Sequence, residues 1–245
     1  MIIARTAIAA ALALNGATVW AQAPGFEGVW EPAFNPAAMR GARPAPPVLT
    51  PAYEAVFAAT RAKIEAGQLD IGAMCSPPGL TYLLQNLGSM EIIDGPKPHL
   101  TILFEYQSQA QRVQMDGRPL PEEIDPTPNG YSIGRWEGDT LVVETKGISR
   151  FTYFDGNGTP HSDQLHVISR FRQADPETLE VSSIATDPEA LAAPYTFTQR
   201  FSRVEDGYLI PFECENIRNP VNPDGSLGYT FKTDAEIEED AALLD

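Results

Sequence analysis

Positive charge is scarce in this chain. Its 245 residues carry 17 Lys and Arg against 33 Asp and Glu, a formal net charge of −16, and a surface of that sign repels nucleic acid and anionic lipid headgroups. Neither is expected as a partner. Histidine is almost missing, with three residues, and cysteine with two. The sequence has no close Cys/His cluster and no His-Glu-x-x-His run, so no metal site is expected. It also lacks a Gly-rich loop leading into a helix, which argues against nucleotide cofactors, and no other cofactor is indicated. Long apolar runs are lacking too. The apolar stretch at 8–14 is shorter than the ~20 residues that cross a bilayer, and nothing similar recurs downstream, so no membrane insertion is expected. With Arg5 ahead of it and Ala21-Gln22-Ala23 behind it, residues 1–23 read as a secretory signal peptide. The expected location is periplasmic or secreted.

What the chain has in quantity is turn residues, spaced about ten apart: Asp116-Gly117, Glu137-Gly138-Asp139, Asp155-Gly156-Asn157-Gly158, Asp175-Pro176, Asp187-Pro188 and Glu205-Asp206-Gly207. The intervals between them are rich in Val, Ile, Thr and aromatic residues, the pattern of short strands joined by tight turns. Candidate strands fall at 26–31, 100–106, 111–115, 131–136, 140–146, 151–154, 165–173, 179–186, 195–203 and 208–214. Alternation is clearest late in the chain. Leu165, Val167, Ser169 and Phe171 share one face, and Tyr195, Phe197 and Phe201 oppose Thr196, Thr198 and Arg200. The one well-marked helix starts at Thr50-Pro51 and runs to Gly67, with Tyr53, Val56, Phe57 and Ile64 near helical spacing.

The fold class implied is mainly β: an antiparallel up-and-down, calycin-like barrel or curved sheet, with an N-terminal capping helix. One domain is expected over 24–233, made of an extended and helical layer at 24–90 and a strand series at 91–215, followed by an acidic tail at 234–245. Cys75 and Cys214 read as a disulfide in an oxidising compartment, worth ~5 kcal/mol by chain entropy. A thiol pair or a metal site is the other reading of the two cysteines. The sequence does not set an oligomeric state.

Several segments resemble a large family of exported bacterial proteins of no assigned activity. They are Asp116-Gly117-Arg118-Pro119, the stretch 130–147 (GYSIGRWEGDTLVVETKG), the stretch 158–166 (GTPHSDQLH), Arg170-Phe171-Arg172, Cys75-Ser76-Pro77-Pro78-Gly79 and Cys214-Glu215-Asn216. The likeness covers about 28–216. The hairpin around Trp136-Glu137-Gly138-Asp139 is also similar to calycin-type ligand barrels, an analogy of fold only. One departure is Ser169, where members of the family often carry a glutamate before Arg170.

Two patterns carry candidate chemistry. Gly130-Tyr131-Ser132-Ile133-Gly134 satisfies the Gly-x-Ser-x-Gly pattern of serine hydrolases. Its context is wrong, because a nucleophile elbow needs a strand before the serine and a helix after it, whereas here a second strand follows. His161-Ser162-Asp163-Gln164-Leu165-His166 places two of the three histidines within six residues, beside a carboxylate. Imidazole titrates near neutrality and suits proton transfer, and Asp163 is positioned to orient it. His161, His166 and Asp163 are therefore the candidate catalytic residues, against turn and strand roles for the two histidines. Their spacing of five sends the histidines to opposite faces of a strand. Glu105, Tyr106, Arg112, Arg118 and Trp136 are candidate ligand-binding residues, against an exterior ion-pair ladder for the arginines and a packing role for Trp136.

The function implied is an exported β-barrel that binds or acts on a small apolar or aromatic molecule. The alternative is a cofactor-free lyase, isomerase or hydratase using His161 and His166. A serine hydrolase or a periplasmic interaction protein is a weaker reading. An inward, paired imidazole would favour catalysis, and a site without one would favour carriage.

Overall fold

The structure is a computed structural model describing residues 26–33, 45–72, 76–85, 88–95, 98–210, 217–218 and 230–231. Nine strands close into a barrel in sequence order: β1 Gly28–Pro32, β2 Met90–Asp94, β3 His99–Phe104, β4 Gln109–Gln114, β5 Tyr131–Glu137, β6 Thr140–Lys146, β7 His166–Asp175, β8 Thr178–Thr186 and β9 Tyr195–Val204. The last strand returns to the first through pairs such as Trp30 with Arg203. A separate two-residue pair, β10 Ile217–Arg218 and β11 Thr230–Phe231, lies outside it.

Nine is odd, and neighbours around a closed ring can all be antiparallel only when the count is even. One pairing has to be parallel. It is β4 with β5, held by only two residue pairs, Val113 with Ser132 and Gln114 with Ile133. The barrel is thus mostly antiparallel, as expected, and this one parallel pair is its departure from up-and-down order. The connection 115–130 carries the chain back to the end of the barrel from which β4 started, and Thr127 bridges Ile148 in parallel on the way.

Alternation decides which side chains enter the barrel. On β7, Val167, Ser169 and Phe171 are buried, and on β9, Phe197 and Phe201. Val167, Phe171, Phe197 and Phe201, together with Trp30, Ile92, Ile102, Val113, Leu141, Val143 and Leu179, form one apolar cluster inside the barrel. Burying each such side chain contributes ~1.5–3 kcal/mol. The polar positions of the interior bond to one another: Ser132 Oγ lies 2.8 Å from Thr145 Oγ1, Gln111 Nε2 donates to Ser132 at 3.0 Å, and Ser169 Oγ lies 2.8 Å from Ser183 Oγ. Ser169 thus has a serine partner across the β7–β8 pair.

Helices close one end. Helix α2, Leu80–Gln85, buries Leu80, Leu83 and Leu84 over the barrel mouth. Helix α1, Pro51–Glu65, buries no residue, and Tyr53 and Phe57 rest half-buried on the cluster. Thr50 stands at its N-cap, but its hydroxyl donates to the Glu189 carbonyl at 2.7 Å rather than to the helix. At the far end Phe26 meets Trp136 edge-on at 5.2 Å, and the Arg203 guanidinium stacks 4.2 Å from the Trp30 ring centroid.

The strand expected at 151–154 is a run of turns, because the polar residues around it are taken up by the loop contacts described below. Met90–Asp94 is a strand that the sequence reading missed. At 208–214 the described part, 208–210, is not strand. Cys75, Cys214, the segment 1–25 and the tail 234–245 lie outside the described residues.

Candidate functional site

A cleft of about 620 Å³ opens at the helical end of the barrel. Phe57 and Arg61 of α1 form one wall and Tyr82 and Gln85 of α2 the floor; the turn 155–159 and Tyr195, Phe197 and Gln199 of β9 complete it. Clefts of 300–1,000 Å³ with aromatic walls and a few fixed polar groups are the usual shape of small-molecule sites. The aromatic surface is braced from behind. Phe154 meets Tyr195 edge-on at 5.6 Å, Tyr195 lies 6.0 Å from Phe197, and Tyr82 lies 5.4 Å from Tyr106.

The polar groups of the cleft are held by hydrogen bonds. Asp155 is buried and accepts from the Asn157 and Thr159 amides at 2.9 and 3.2 Å, which folds Asp155-Gly156-Asn157-Gly158 into a tight turn. Gly158 sits there with φ +79°, and a Cβ would come within 2.9 Å of Thr60 on α1, so glycine lets helix and turn touch. Gln85 Nε2 donates to the Phe154 carbonyl at 2.9 Å, and Gln199 Nε2 to the Gln85 carbonyl at 3.2 Å. Burial pushes the Tyr82 phenol up, with its hydrogen bond to Tyr106 adding to the effect; burial and then the Asp155 carboxylate push the Tyr195 phenol up. Both remain neutral hydrogen-bond donors at neutral pH. Arg61 brings a cation, paired loosely with the exposed Glu65 at 3.6 Å.

Behind the cleft lies a buried polar joint built from the His-Ser-Asp motif. Asp187, 2% exposed, accepts from the Ser162 amide and hydroxyl, both at 2.7 Å, and from the Glu189 and Ala190 amides, both at 3.1 Å. The Tyr53 phenol of α1 is raised by burial and by Glu189 and Asp187. The 187–191 turn continues to α1: the Thr50 amide donates to the Ala190 carbonyl at 2.9 Å, and Leu49 bridges Leu191. Asp187 therefore fixes the start of the helix that supplies Phe57 and Arg61.

The sequence-expected catalytic residues are dispersed over three settings. His161 is buried, its Nδ1 2.9 Å from the Ser162 carbonyl and its Nε2 2.9 Å from Thr152 Oγ1. Burial lowers its pKa, partly offset by the Ser162 carbonyl, Asp187 and Asp163. Asp163 accepts from the Arg150 amide at 2.8 Å and pairs with that guanidinium at 3.5 Å, so its hydrogen bonds go to Arg150. His166 sits on the outer wall of β7, Nε2 3.0 Å from Glu144 Oε1. Neither histidine lines the cleft; His161 reaches toward it only through Thr159, two residues away. Ser132 of the Gly-x-Ser-x-Gly pattern faces the barrel interior, bonded to Thr145 and Gln111. Among the described residues no group of three or more His, Cys, Asp or Glu side chains is placed to hold a metal.

The expected ligand-binding residues are likewise spread. Tyr106 backs Tyr82 and donates to the Gly72 carbonyl at 2.7 Å, and Glu105 accepts from the Ile210 amide at 3.3 Å. Arg112 is exposed on β4, beside the β4–β5 seam. Arg118 is tied to Asp116, whose carboxyl it lowers to about 2, and to Tyr131. Trp136 closes the far end against Phe26. An exterior ion-pair ladder is present, but it uses arginines other than Arg112 and Arg118: Glu137 joins Arg135 and Arg170, and Glu180 joins Arg172 and Arg200. Phe57, Arg61, Tyr82 and Tyr195, the residues of the cleft, were not singled out as a site in the sequence, because aromatics on a helix and a strand carry no motif.

No family model, curated protein or solved structure matches the chain. What is shown is a mainly β protein whose closed, mostly antiparallel nine-stranded barrel has a fold able to hold a ligand.

Proposed function

We propose that this protein is an exported carrier of a small aromatic compound, bound in the cleft at the helical end of its barrel. The observation that supports the reading is the cleft itself: Phe57, Tyr82, Tyr195 and Phe197 around a space of about 620 Å³, with Arg61 at its edge. The site is at the mouth because the axis is filled by the apolar cluster. Aromatic walls favour a planar apolar body, neutral phenols and side-chain amides orient a polar substituent, and the guanidinium favours one with an acceptor or a negative charge. Carriage is preferred to proton-transfer catalysis because no imidazole borders this cleft and both histidines are engaged elsewhere.

The test is calorimetric titration of the protein with benzoate, p-cresol, indole and benzyl alcohol. Saturable binding of at least one is expected, weakened about tenfold or more by Phe57→Ala, a loss equivalent to ~1.4 kcal/mol. Arg61→Ala is expected to weaken benzoate selectively. Absence of saturable binding across the set, or affinities unchanged in both variants, would refute the proposal.

A further inference from the structure

The parallel seam between β4 and β5 has a cleft of its own, about 370 Å³. It lies where only two residue pairs join the strands, bordered by Gln111, Arg112 and Gln114 of β4 and by Asn129 and Tyr131 on the other side. Five buried side-chain polar atoms have no hydrogen-bond partner among the described residues, and three of them belong to residues bordering this one cleft: Gln111 Oε1, Gln114 Oε1 and Asn129 Oδ1. A fourth, His99 Nδ1, belongs to the residue paired with Gln114 across β3 and β4. Buried acceptors are normally satisfied, so their concentration at one place calls for a cause.

The geometry of the amides is constrained. Asn129 Nδ2 donates to the Ala110 carbonyl at 3.1 Å and to Gln109 Oε1 at 3.3 Å, two groups that only accept, so its oxygen is the end left over. Gln111, 2% exposed, donates through Nε2 to Ser132 and Thr145, which leaves Oε1 over. Alternation along β4 puts Gln111 on the inner side of the wall, and Gln114 on the outer side with the exposed Arg112.

We propose that the seam is a binding site for a neutral polyhydroxylated molecule, a monosaccharide or a polyol of similar size. Hydroxyl groups are the complementary chemistry on the outer face: they donate to Gln114 Oε1 or Asn129 Oδ1 and accept from Arg112. An organic cation fits less well, because the bordering residues include no carboxylate and do include a guanidinium. The Tyr131 ring at the rim offers a face for the C–H side of a sugar ring. The seam site is separate from the aromatic cleft and does not depend on it: the residues bordering the two share no member.

The experiment is a titration of the full protein with D-glucose, D-galactose and D-mannitol, following the side-chain amide resonances of Gln114 and Asn129 by NMR, with putrescine as the cationic comparison. Saturable shifts with at least one polyol are expected. Arg112→Ala, on an exposed side chain, and Gln114→Leu, near-isosteric and outward, are each expected to weaken it about tenfold or more. No saturable shift with any polyol, binding that survives both variants unchanged, or saturation by putrescine alone would overturn the proposal. Benzoate binding at the mouth is read in the same sample, so failure at one site is distinguishable from failure at the other.

Discussion

Asp187→Ala should be among the most damaging single substitutions outside the apolar core. Its carboxylate accepts four hydrogen bonds, of which the two at 2.7 Å, from the Ser162 amide and hydroxyl, lie in a dry interior. A hydrogen bond to a charged group contributes ~1.5–3 kcal/mol, and a buried donor left without its acceptor costs about 1–3. Counting only the two short bonds and leaving out the longer ones at 3.1 Å from the Glu189 and Ala190 amides, the loss is about 3–6 kcal/mol. That is a large share of the ~5–15 kcal/mol that holds a typical domain folded. For a chain of this length it corresponds to a drop in Tm on the order of 10 °C.

Asp163→Ala is the internal comparison, because Asp163 sits one residue past Ser162, pairs with Arg150 at 3.5 Å and keeps 39% of its side chain exposed. Its removal should cost about 1 kcal/mol or less. Urea denaturation of both variants at pH 7 measures the contrast. Losses of equal size in the two variants, or a loss under ~1.5 kcal/mol for Asp187→Ala, would refute the assignment of Asp187 as the joint of this loop system. Because the same joint anchors the start of α1, Asp187→Ala should also weaken aromatic binding at the mouth, while Asp163→Ala should leave it unchanged.

Three further outcomes are expected. The His161 pKa is lowered by burial, so the unfolded chain takes up a proton before the folded one does; stability is full above the ordinary value of 6.5 and falls as the pH drops below it, and His161→Gln should flatten that part of the profile in a pH series of thermal melts. Gly79→Ala forces a Cβ at φ +97° to within 2.4 Å of Thr152 Oγ1, the hydrogen-bond partner of His161, and should cost about 2–4 kcal/mol by chemical denaturation. Glu180→Ala removes the carboxylate shared by Arg172 and Arg200 on the outer wall and should change stability by less than about 1 kcal/mol at physiological salt.

The late strands were legible because one face of each is buried. Phe171 and Phe197 could not alternate as they do in a helix, and β6 Thr140–Lys146 starts and ends where its turn residues imply. Met90–Asp94 was missed because it is five residues long and buries only Met90 and Ile92, too short a pattern to stand out from the Leu-rich stretch before it. The parallel seam was illegible for a different reason. A strand's own pattern says which face is buried but not which direction its neighbour runs, and only the count of nine around a closed ring forces the exception. The stretch 151–154 misled because aromatic content resembles strand content; Phe154 is wholly buried, yet it serves as the brace behind Tyr195.

The hydrogen bonds of the His-Ser-Asp motif diverge, and under the proposed function this gives the motif a framework role and places the site among residues of other types. His161 bonds Thr152 and the Ser162 carbonyl, Ser162 bonds Asp187, Asp163 bonds Arg150, and His166 bonds Glu144; four polar residues within six positions reach separate partners. A proton shuttle would need them to converge on one accessible point. Divergent bonds do something else: Ser162 ties the loop 147–165 to Asp187 of the turn 187–191, His161 and Asp163 close that loop on Thr152 and Arg150, and the two segments carry the Asp155–Gly158 turn and the start of α1, which border the aromatic cleft. The proposed site is then made by Phe57, Tyr82, Tyr195 and Arg61, residues whose types are common everywhere in proteins. They become visible as a site only when the joint brings them face to face.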